Sequence, residues 1–334
     1  MRLELPGFCD IQVNGFAGID FNDPQTNVTR IDHAFAAMRA TGVTLCLPTI
    51  ITSSYESFAA CAQTLARYDN PANAGLHMEG PYISPEDGAR GAHPLAHVRP
   101  ASIEDFKRRQ DAAAGRITLV TLAPEIAGAL ELTEYLVARN IRVAIGHTAA
   151  TPEQIRAAIA SGATMSTHLG NGAMNMLPRH PNFIWEQLAA DELLASFIVD
   201  GHHLPPATVK AMIRAKTPER SMLVTDAITA AACPPGRYVL GETVVELNAN
   251  GRVSEPGKPW LAGSALTMDN AVVNTVRFTG LSIHDVWPMA SMRPAAYMRL
   301  PTPASVTAEW DELTGQLTIE TGSQESEVRS QKDA

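Results

Sequence analysis

The sequence predicts an α/β protein folded as a (β/α)8 TIM barrel, and three observations lead to this prediction. Eight short apolar runs alternate with amphipathic stretches along residues 8–226, as parallel strands joined by helical crossovers do. Polar side chains stand at the ends of most of these runs, where barrel enzymes place their chemistry. The chain has 334 residues, 45% of them hydrophobic and 18% charged, which suffices for one large globular domain.

The eight predicted strands are spaced so that a helix fits between neighbours. They cover residues 8–13, 43–49, 75–79, 117–125, 141–147, 163–168, 194–200 and 221–226. A doubly wound open sheet is the alternative architecture for the same alternation. Neither a GxGxxG nor a GxxxxGK sequence follows the first strand, which argues against a nucleotide-binding sheet.

Amphipathic stretches between the strands predict helices over residues 31–42, 55–68, 129–140, 151–162 and 205–216. The stretch 151–162 has the clearest boundaries, because Thr151 can cap it, Pro152 suits its first position and Gly162 ends it. Two further helical regions are predicted over 264–278 and 283–298.

The barrel is predicted to occupy residues 1–300 and to carry one insertion. Two β-like runs, YVLGETVVEL and GRVSEP, predict a small β-hairpin within residues 234–262. After the barrel, TAEW and QLTIE predict a C-terminal β-hairpin within residues 301–320. The last stretch, 321–334, is polar and predicts a disordered tail.

Charge and cysteine content narrow the class of protein. The net charge is −9, so neither nucleic acid nor an anionic membrane surface is the expected partner. The cysteines form no CxxC pair, and packing is the simplest role for Cys9, Cys46, Cys61 and Cys233. The N-terminus lacks the apolar core of a signal peptide, and no uncharged apolar run reaches the length of a membrane span. A soluble protein of the reducing cytoplasm is the expectation.

Polar residues that end the predicted strands are expected to meet at one mouth of the barrel. The C-terminal ends of parallel strands share one face, so residues distant in sequence become neighbours there. The residues concerned are Gln12, Asn14, Glu79, Glu125, His147, His168, Asp200 with His202 and His203 just beyond it, and Asp226. Gln12 and Asn14 lie two positions apart, so their side chains leave the first strand on the same side.

Glu79, His147 and His168 form a set of two imidazoles and one carboxylate, which suits a divalent transition metal with an open position for water. A lone histidine at a strand end is more often a polar cap, so the metal site depends on the barrel bringing the three together. A carboxylate such as Glu79 is costly to bury unless it is paired or ligated. Asp226 is expected either to exchange protons with a metal-activated water or to orient a ligand histidine, whereas Asp200 is expected to cap a loop.

Three loop features are weaker candidates. His93, in the loop after the third strand, either polarises a substrate carbonyl or is a solvated histidine. Asn171 and Gly172, in THLGNGAMN, either help to bind an anion through backbone N–H groups or form an ordinary tight turn. Arg179 either supplies positive charge for a phosphate or lies on the surface.

Taken together, these motifs resemble the N-acetylglucosamine-6-phosphate deacetylases, which are metal-dependent barrels of the amidohydrolase superfamily. The resemblance runs from about residue 6 to about residue 298 and rests on PGFCDIQVNG, HMEGPYIS with GAH after it, AIGHT, THLGNGAM, IVDGHH, LVTDA and LAGSALTMD. Amidohydrolases generally carry His-x-His at the end of the first strand, whereas this family often has Gln-x-Asn and keeps one metal. Gln12 and Asn14 match the second pattern, and amides are poorer transition-metal ligands than imidazoles.

The resemblance implies the chemical roles of five residues. Glu79, His147 and His168 match the metal ligands, and the metal is expected to be zinc, with iron or another divalent ion as alternatives. Asp226 matches the catalytic acid/base, and His93 matches the histidine that contacts the substrate and polarises the acetamide carbonyl. The implied reaction is hydrolysis of the acetamide of N-acetylglucosamine-6-phosphate to glucosamine-6-phosphate and acetate, catalysed by a cytoplasmic homodimer.

The remaining candidates are implied to bind substrate: His203, Asn171, Gly172, Arg179, Gln12 and Asn14. His203 matches the histidine of the family's DG-x-H motif. The chain departs from the family where it reads THLGNGAM instead of THLFNAM, and where PRHPN replaces R-x-P-G, so Arg179 is the nearest counterpart of the family's phosphate-binding arginine. It also lacks the Gly-Ala-Asp-Ala-Asp stretch, so the family's small β-sandwich is expected to be missing or rudimentary.

Two alternative functions fit the same residues. The first is a deacylase of another N-acyl amino sugar, either unphosphorylated or of the galacto configuration. The second is a catalytically inactive barrel that binds a sugar phosphate.

Overall fold

A computed structural model of the chain describes residues 1–258 and 260–320. The strands in these residues are β1 (Arg2–Pro6), β2 (Phe8–Val13), β3 (Gly15–Phe16), β4 (Ile19–Asp20), β5 (Val43–Ile51), β6 (Leu76–Glu79), β7 (Ile117–Leu122), β8 (Arg142–Ile145), β9 (Met165–Ser166), β10 (Leu194–Phe197), β11 (Ser221–Leu223), β12 (Gly236–Leu240), β13 (Thr243–Leu247), β14 (Val253–Ser254), β15 (Ser305–Asp311) and β16 (Gln316–Glu320).

The α-helices of the same residues lie mostly between the barrel strands. They are α1 (Val28–Ala40), α2 (Tyr55–Arg67), α3 (Ile103–Ala112), α4 (Ala129–Val137), α5 (Pro152–Ala160), α6 (Phe183–Ala189), α7 (Pro206–Lys216), α8 (Met268–Thr279), α9 (Ile283–Ala290) and α10 (Met292–Tyr297). The helix α5 begins after Thr151, the cap that the sequence predicts, and Thr151 and Gln154 bond each other's backbone there in a capping box.

Eight parallel strands form the barrel, and they correspond to the eight runs that the sequence predicts. They pair in the order β11-β10-β9-β8-β7-β6-β5-β2. All six residues of β2 are buried, as expected for a strand covered on both faces. The prediction of a (β/α)8 barrel is confirmed, and the alternative of an open doubly wound sheet is wrong.

The barrel closes between its first and last strands, β2 and β11, only at the mouth. Among the described residues no β-ladder joins these two strands, and an isolated parallel bridge pairs Val13 with Ala227. The backbone N–H of Asp226 donates to Gln12 O at 2.9 Å, and that of Asn14 donates to Ala227 O at 2.7 Å. This seam therefore joins two strand ends that carry candidate site residues.

In the described residues three small sheets lie outside the barrel, β1-β15-β16, β12-β13-β14 and β3-β4, and the first two extend the predicted hairpins by one strand each. Residues 2–6, for which the sequence predicts no strand, form β1 and pair with β15, which in turn pairs with β16. The insertion within 234–262 contains three strands in its described residues, one more than the predicted hairpin. Its run YVLGETVVEL folds back on itself as β12 and β13, and β14 from GRVSEP pairs with β13.

The helices differ from the prediction in three places. Two helices, α3 and α6, have no predicted counterpart. In α3 only Phe106 and Arg109 are buried, so its apolar stripe is too thin to show as a periodic pattern. The region predicted as one helix over 283–298 is divided into α9 and α10, because the backbone at Ser291 leaves the helical region with φ −127° and ψ −90°.

Two further sequence predictions concern the tail and the membrane. The disordered tail predicted over 321–334 lies outside the described residues. In residues 1–258 and 260–320, none of the helices has both the length and the apolar character needed to cross a bilayer.

Candidate metal centre and active site

The C-terminal ends of the barrel strands bring four chain-distant residues together, of which Asp226 is half-buried and the other three are buried. Glu79 is the last residue of β6, His147 and His168 follow β8 and β9 by two residues, and Asp226 follows β11 by three. The backbone φ angles of His147, His168 and Asp226 are 50°, 29° and 47°. Residues other than glycine rarely adopt this left-handed region, and such strain is found where function imposes it.

Three potential ligand atoms converge at the centre of this group. Glu79 Oε1 lies 3.2 Å from His147 Nε2 and 3.1 Å from His168 Nε2. The two imidazole nitrogens are 3.1 Å apart, and all three side chains are buried. The structure thus brings together the carboxylate and the two imidazoles that the sequence suggests as a ligand set.

The hydrogen bonding of His147 fits a bound cation. His147 Nδ1 lies 3.0 Å from the carbonyl oxygen of Ala89, and a carbonyl can only accept, so Nδ1 carries the proton. Nε2 is then the ring atom that can offer a lone pair to a cation beside Glu79 Oε1 and His168 Nε2. A cation between these atoms satisfies all three, and a set of two imidazoles and one carboxylate fits a divalent transition metal.

The mouth of the barrel attracts positive charge. Burial raises the pKa of Glu79, but its hydrogen bonds and charge interactions with His147 and His168 outweigh burial and hold that pKa well below its ordinary value. Burial lowers the pKa of His168, but the carboxylates of Glu79 and Asp226 outweigh burial and raise it above its ordinary value. Both shifts favour an ionised carboxylate with a cation beside it.

Asp226 lies beside the cluster and is held by the two amides of the first barrel strand. Asn14 Nδ2 donates to Asp226 Oδ1 at 2.6 Å, and Gln12 Nε2 donates to the same oxygen at 3.4 Å. Gln12 Nε2 also donates to Glu79 Oε1 at 2.8 Å. Because both amide bonds end on Oδ1, Oδ2 is the oxygen available to a water. Burial and the charge of Glu79 raise the pKa of Asp226 to about 6, which suits a base near neutral pH.

His93 lies in the cavity wall beside His147, with ring centroids 4.3 Å apart. It is 5% exposed, so the alternative of a solvated loop histidine is wrong. Burial and the neighbouring His147 lower the pKa of His93 to about 3, which keeps the ring neutral. Its Nδ1 lies 2.8 Å from Thr52 Oγ1. When that hydroxyl donates to Nδ1, the ring proton is on Nε2 and is free to be donated to a carbonyl oxygen.

A cavity of about 1230 Å³ opens over the cluster, and the loop after β10 contributes His202 and His203 to its wall. Asp200 Oδ1 accepts from the backbone N–H groups of both histidines at 2.8 Å, as expected for a loop cap. Asp200 Oδ2 lies 2.7 Å from His203 Nδ1 and orients that ring. Asp200 therefore positions His203 at the cavity.

The THLGNGAM turn lines the cavity and also supports the two histidines of the cluster. A Cβ atom at Gly172 would lie 2.7 Å from His147 Nδ1, and one at Gly91 would lie 3.1 Å from His147 Cε1. Both glycines also have positive φ, so a larger residue is excluded by space and by backbone conformation. Asn171 Nδ2 donates to the carbonyl of His168 at 3.1 Å.

Arg179 is exposed and does not belong to the cavity wall. The structure therefore does not bring Arg179 to the other candidates within one copy of the chain. Residues that the sequence did not suggest do line or support the cavity: Thr52, Arg252 and Trp260. Thr52 belongs to no recognisable sequence motif. Arg252 and Trp260 line the cavity only because the insertion folds over the mouth of the barrel.

The sequence relatives of this chain are amidohydrolases. The Amidohydrolase family model matches residues 4–305. The N-acetylgalactosamine-6-phosphate deacetylase of Escherichia coli O157:H7 is 34% identical over 300 residues, which cover 88% of this chain and 78% of that protein. The N-acetylglucosamine-6-phosphate deacetylase of Homo sapiens is 36% identical over 316 residues, which cover 90% of this chain and 75% of that protein.

Solved structures resemble the chain over nearly its whole length. A mutant N-acetyl-D-glucosamine-6-phosphate deacetylase of Mycobacterium smegmatis, in complex with N-acetyl-D-glucosamine-6-phosphate, superposes with a TM-score of 0.87 at 30% identity, covering 96% of this chain and 85% of that one. The deacetylase of Thermotoga maritima gives a TM-score of 0.82 at 30% identity, with coverage of 92% and 84%. This chain therefore belongs to the amidohydrolase family, in the branch of the N-acetylglucosamine-6-phosphate deacetylases.

Proposed function

We propose that this protein hydrolyses the acetamide of N-acetylglucosamine-6-phosphate to glucosamine-6-phosphate and acetate. The observation that carries the proposal is the convergence of Glu79, His147 and His168, with Asp226 held beside them by two amides. The names of the relatives support the substrate class, because they are deacetylases of hexosamine 6-phosphates.

Glu79, His147 and His168 would hold one divalent transition metal, zinc being the first choice and iron an alternative. When bound, such a metal polarises a carbonyl and lowers the pKa of water. Gln12 and Asn14 direct their N–H groups at the carboxylates of Glu79 and Asp226. An amide that donates to a carboxylate is not acting as a metal ligand, which supports a site for one metal rather than two.

Asp226 transfers the proton in this proposal. Its Oδ2 takes a proton from the attacking water, and the same carboxyl then donates the proton to the departing amine. Gln12 and Asn14 hold Oδ1, so the carboxyl keeps its orientation in both steps. With its pKa at about 6, most of the carboxyl is ionised at neutral pH and ready to act first as a base.

His93 stabilises the charge that develops on the acetamide oxygen. Its neutral ring, held at Nδ1 by Thr52, donates from Nε2 to that oxygen. His203, oriented by Asp200, binds the sugar or its phosphate, and Asn171 and Gly172 form the turn on the phosphate side.

We also propose a homodimer of the cytoplasm. Arg179 lies outside the cavity of its own chain, so it reaches a substrate only across a contact between two copies. Met176 and Trp185 flank it in sequence and are 88% and 55% exposed, which offers apolar surface for such a contact. The cysteines are free, which suits a reducing compartment. Light scattering coupled to gel filtration tests the dimer, and a monomeric mass at micromolar concentration contradicts it.

A deacylase of another N-acyl amino sugar is the second candidate. The exposed position of Arg179 favours it, because a single chain then lacks that charge for a phosphate. The relative that acts on a galactosamine derivative favours a galacto substrate. The inactive barrel is disfavoured, because the ligand set and Asp226 are assembled together.

Acetate release tests these candidates directly. Zinc-loaded protein is incubated with N-acetylglucosamine-6-phosphate, N-acetylgalactosamine-6-phosphate and plain N-acetylglucosamine. The proposal expects the highest kcat/KM for the first sugar and almost no acetate from the Asp226→Asn variant. The highest kcat/KM for either of the other sugars supports the second candidate instead. No acetate from any of them contradicts both.

A further inference from the structure

We propose that Asp10 is a positioning residue that fixes the backbone of Asp226 across the open seam of the barrel, acting through Thr225. This inference rests on the proposed function, because it concerns how the acid/base of that reaction is held. Asp10 lies in the middle of β2, is 1% exposed and is not part of the cavity wall. The reaction proposed above does not use it directly.

The carboxylate of Asp10 accepts three hydrogen bonds, and two of them cross the seam. Oδ2 accepts from Thr225 Oγ1 at 2.5 Å, and Oδ1 accepts from the backbone N–H of Thr225 at 3.3 Å. Oδ1 also accepts from the backbone N–H of Gln12 at 3.2 Å. One carboxylate thus joins the residue just before Asp226 to the strand that carries the amides.

The seam needs such a link because it lacks a ladder. The other neighbouring strands of the barrel are each joined by a β-ladder, whereas the described residues contain no ladder between β2 and β11. Backbone bonding across the seam begins only where Asp226 N donates to Gln12 O. The Asp10 carboxylate adds hydrogen bonds to Thr225, which is one residue before Asp226. Burying a carboxylate is costly, so its presence here indicates a use that an apolar residue could not fill.

Asp226 depends on this support because its backbone is strained, with φ at +47°. Thr225 Oγ1 accepts from the N–H of Ala227 at 3.1 Å, on the far side of Asp226. Ser264 Oγ donates to the carbonyl of Thr225 at 2.5 Å. The hydroxyl and carbonyl of Thr225 therefore hold the residues on both sides of Asp226. Asp10 anchors that hydroxyl.

Loss of the Thr225 hydroxyl is expected to move the Asp226 carboxyl without touching the ligand set. Thr225→Val removes the hydroxyl at nearly constant volume, and Thr225→Ser keeps it. A misplacement of about 1 Å costs on the order of 100-fold in rate, so we expect Thr225→Val to lower kcat by about 10- to 100-fold. We expect KM and the metal content per chain to stay near those of the parent. Thr225→Ser is expected to restore kcat to near the parent value.

Thr133→Val is the matched control. Thr133 is also fully buried, and its hydroxyl donates to the carbonyl of Ala129 at 2.8 Å within α4, away from the cavity. This variant is expected to lose stability while keeping kcat and KM. Circular dichroism and metal analysis confirm that folded, loaded protein is compared in each case. If Thr225→Val is recovered unfolded, the kcat of Thr225→Ala, which also lacks the hydroxyl, is compared with that of Thr225→Ser, which keeps it.

The outcomes separate this inference from the proposed function. An active parent enzyme whose Thr225→Val variant keeps its kcat overturns the inference alone. So does a variant that changes KM or metal content in place of kcat, or a Thr225→Ser variant as slow as Thr225→Val. A parent enzyme that releases no acetate from N-acetylglucosamine-6-phosphate overturns the proposed function, and the inference with it.

Discussion

Replacing Asp226 by asparagine is expected to remove nearly all acetate release while leaving the metal site intact. Asparagine keeps the shape of the side chain, and its own oxygen can still accept the 2.6 Å hydrogen bond from Asn14 Nδ2. What the variant loses is the base, because a carboxamide cannot take a proton from water at neutral pH. The atoms of Glu79, His147 and His168 that converge on the metal position are unchanged.

The pKa of Asp226 and the role of a base set the size of the effect. Burial and the charge of Glu79 raise that pKa to about 6, so roughly nine-tenths of the carboxyl is ionised at pH 7. A positioned general base contributes about 10²- to 10⁴-fold in rate, or about 3–5 kcal/mol of transition-state stabilisation. We therefore expect kcat to fall by this factor. KM is expected to change little, because the lost interaction acts in the transition state.

The assay measures acetate release at saturating substrate and the metal content of the same samples. Asp32→Asn is the control, because Asp32 accepts from the Tyr68 hydroxyl at 2.7 Å on the outer helix α1 and is expected to leave kcat unchanged. An Asp226→Asn variant that keeps more than about a tenth of the parent kcat refutes the general-base role. Loss of the metal together with activity would instead make Asp226 a ligand.

Three further changes test the site and the fold. His168→Gln is expected to bring bound metal well below one ion per chain by elemental analysis, and full occupancy in that variant would contradict its role as a ligand. Asp105→Asn leaves the fully buried guanidinium of Arg109, which donates to Asp105 Oδ2 at 2.8 Å, without its counter-charge. We expect a loss of about 3–5 kcal/mol in urea unfolding, and a loss below about 1 kcal/mol would count against this. Burial raises the pKa of Asp10 to about 7, so the native state holds this proton more tightly than the unfolded chain. The associated stability is full below about pH 4 and is lost as the pH rises to 7. Unfolding free energies of the parent and of Asp10→Asn are therefore compared at pH 5 and at pH 8. Relative to the parent, Asp10→Asn should be more stable at pH 8 than it is at pH 5. The same difference between the two proteins at both pH values would show that Asp10 does not titrate in this way.

The barrel strands could be predicted because each is a short apolar run that stops at a polar residue. Local sequence encodes both features. The strand β1 could not be predicted in this way, because its pairing of Arg2 with Glu309 joins opposite ends of the chain. The helix α3 could not be predicted either, since Phe106 and Arg109 are its only buried residues and most of its other side chains are polar.

The candidate site was predictable to the same extent. Glu79, His147 and His168 follow from their positions at strand ends, because the barrel alone makes such positions converge. The bonds from Gln12 and Asn14 to Asp226 do not follow from sequence, because they depend on how the seam closes.

The loops carry the residues whose surroundings the sequence could not decide. The sequence allows the His93 ring to lie either in solvent or in the cavity wall. Only the path of its loop, which brings the ring to Thr52, places it in the wall. Arg179 is the nearest counterpart of the family's phosphate-binding arginine in sequence, but it is exposed on the surface of a single chain.

Anomalous diffraction from crystals of the metal-loaded protein tests the central claim most directly, which is that one cation lies among three chain-distant ligands. We expect a single anomalous peak per chain, about 2.0–2.2 Å from Glu79 and from the Nε2 atoms of His147 and His168. No peak at this position, or a second peak ligated by Gln12 and Asn14, would contradict the claim.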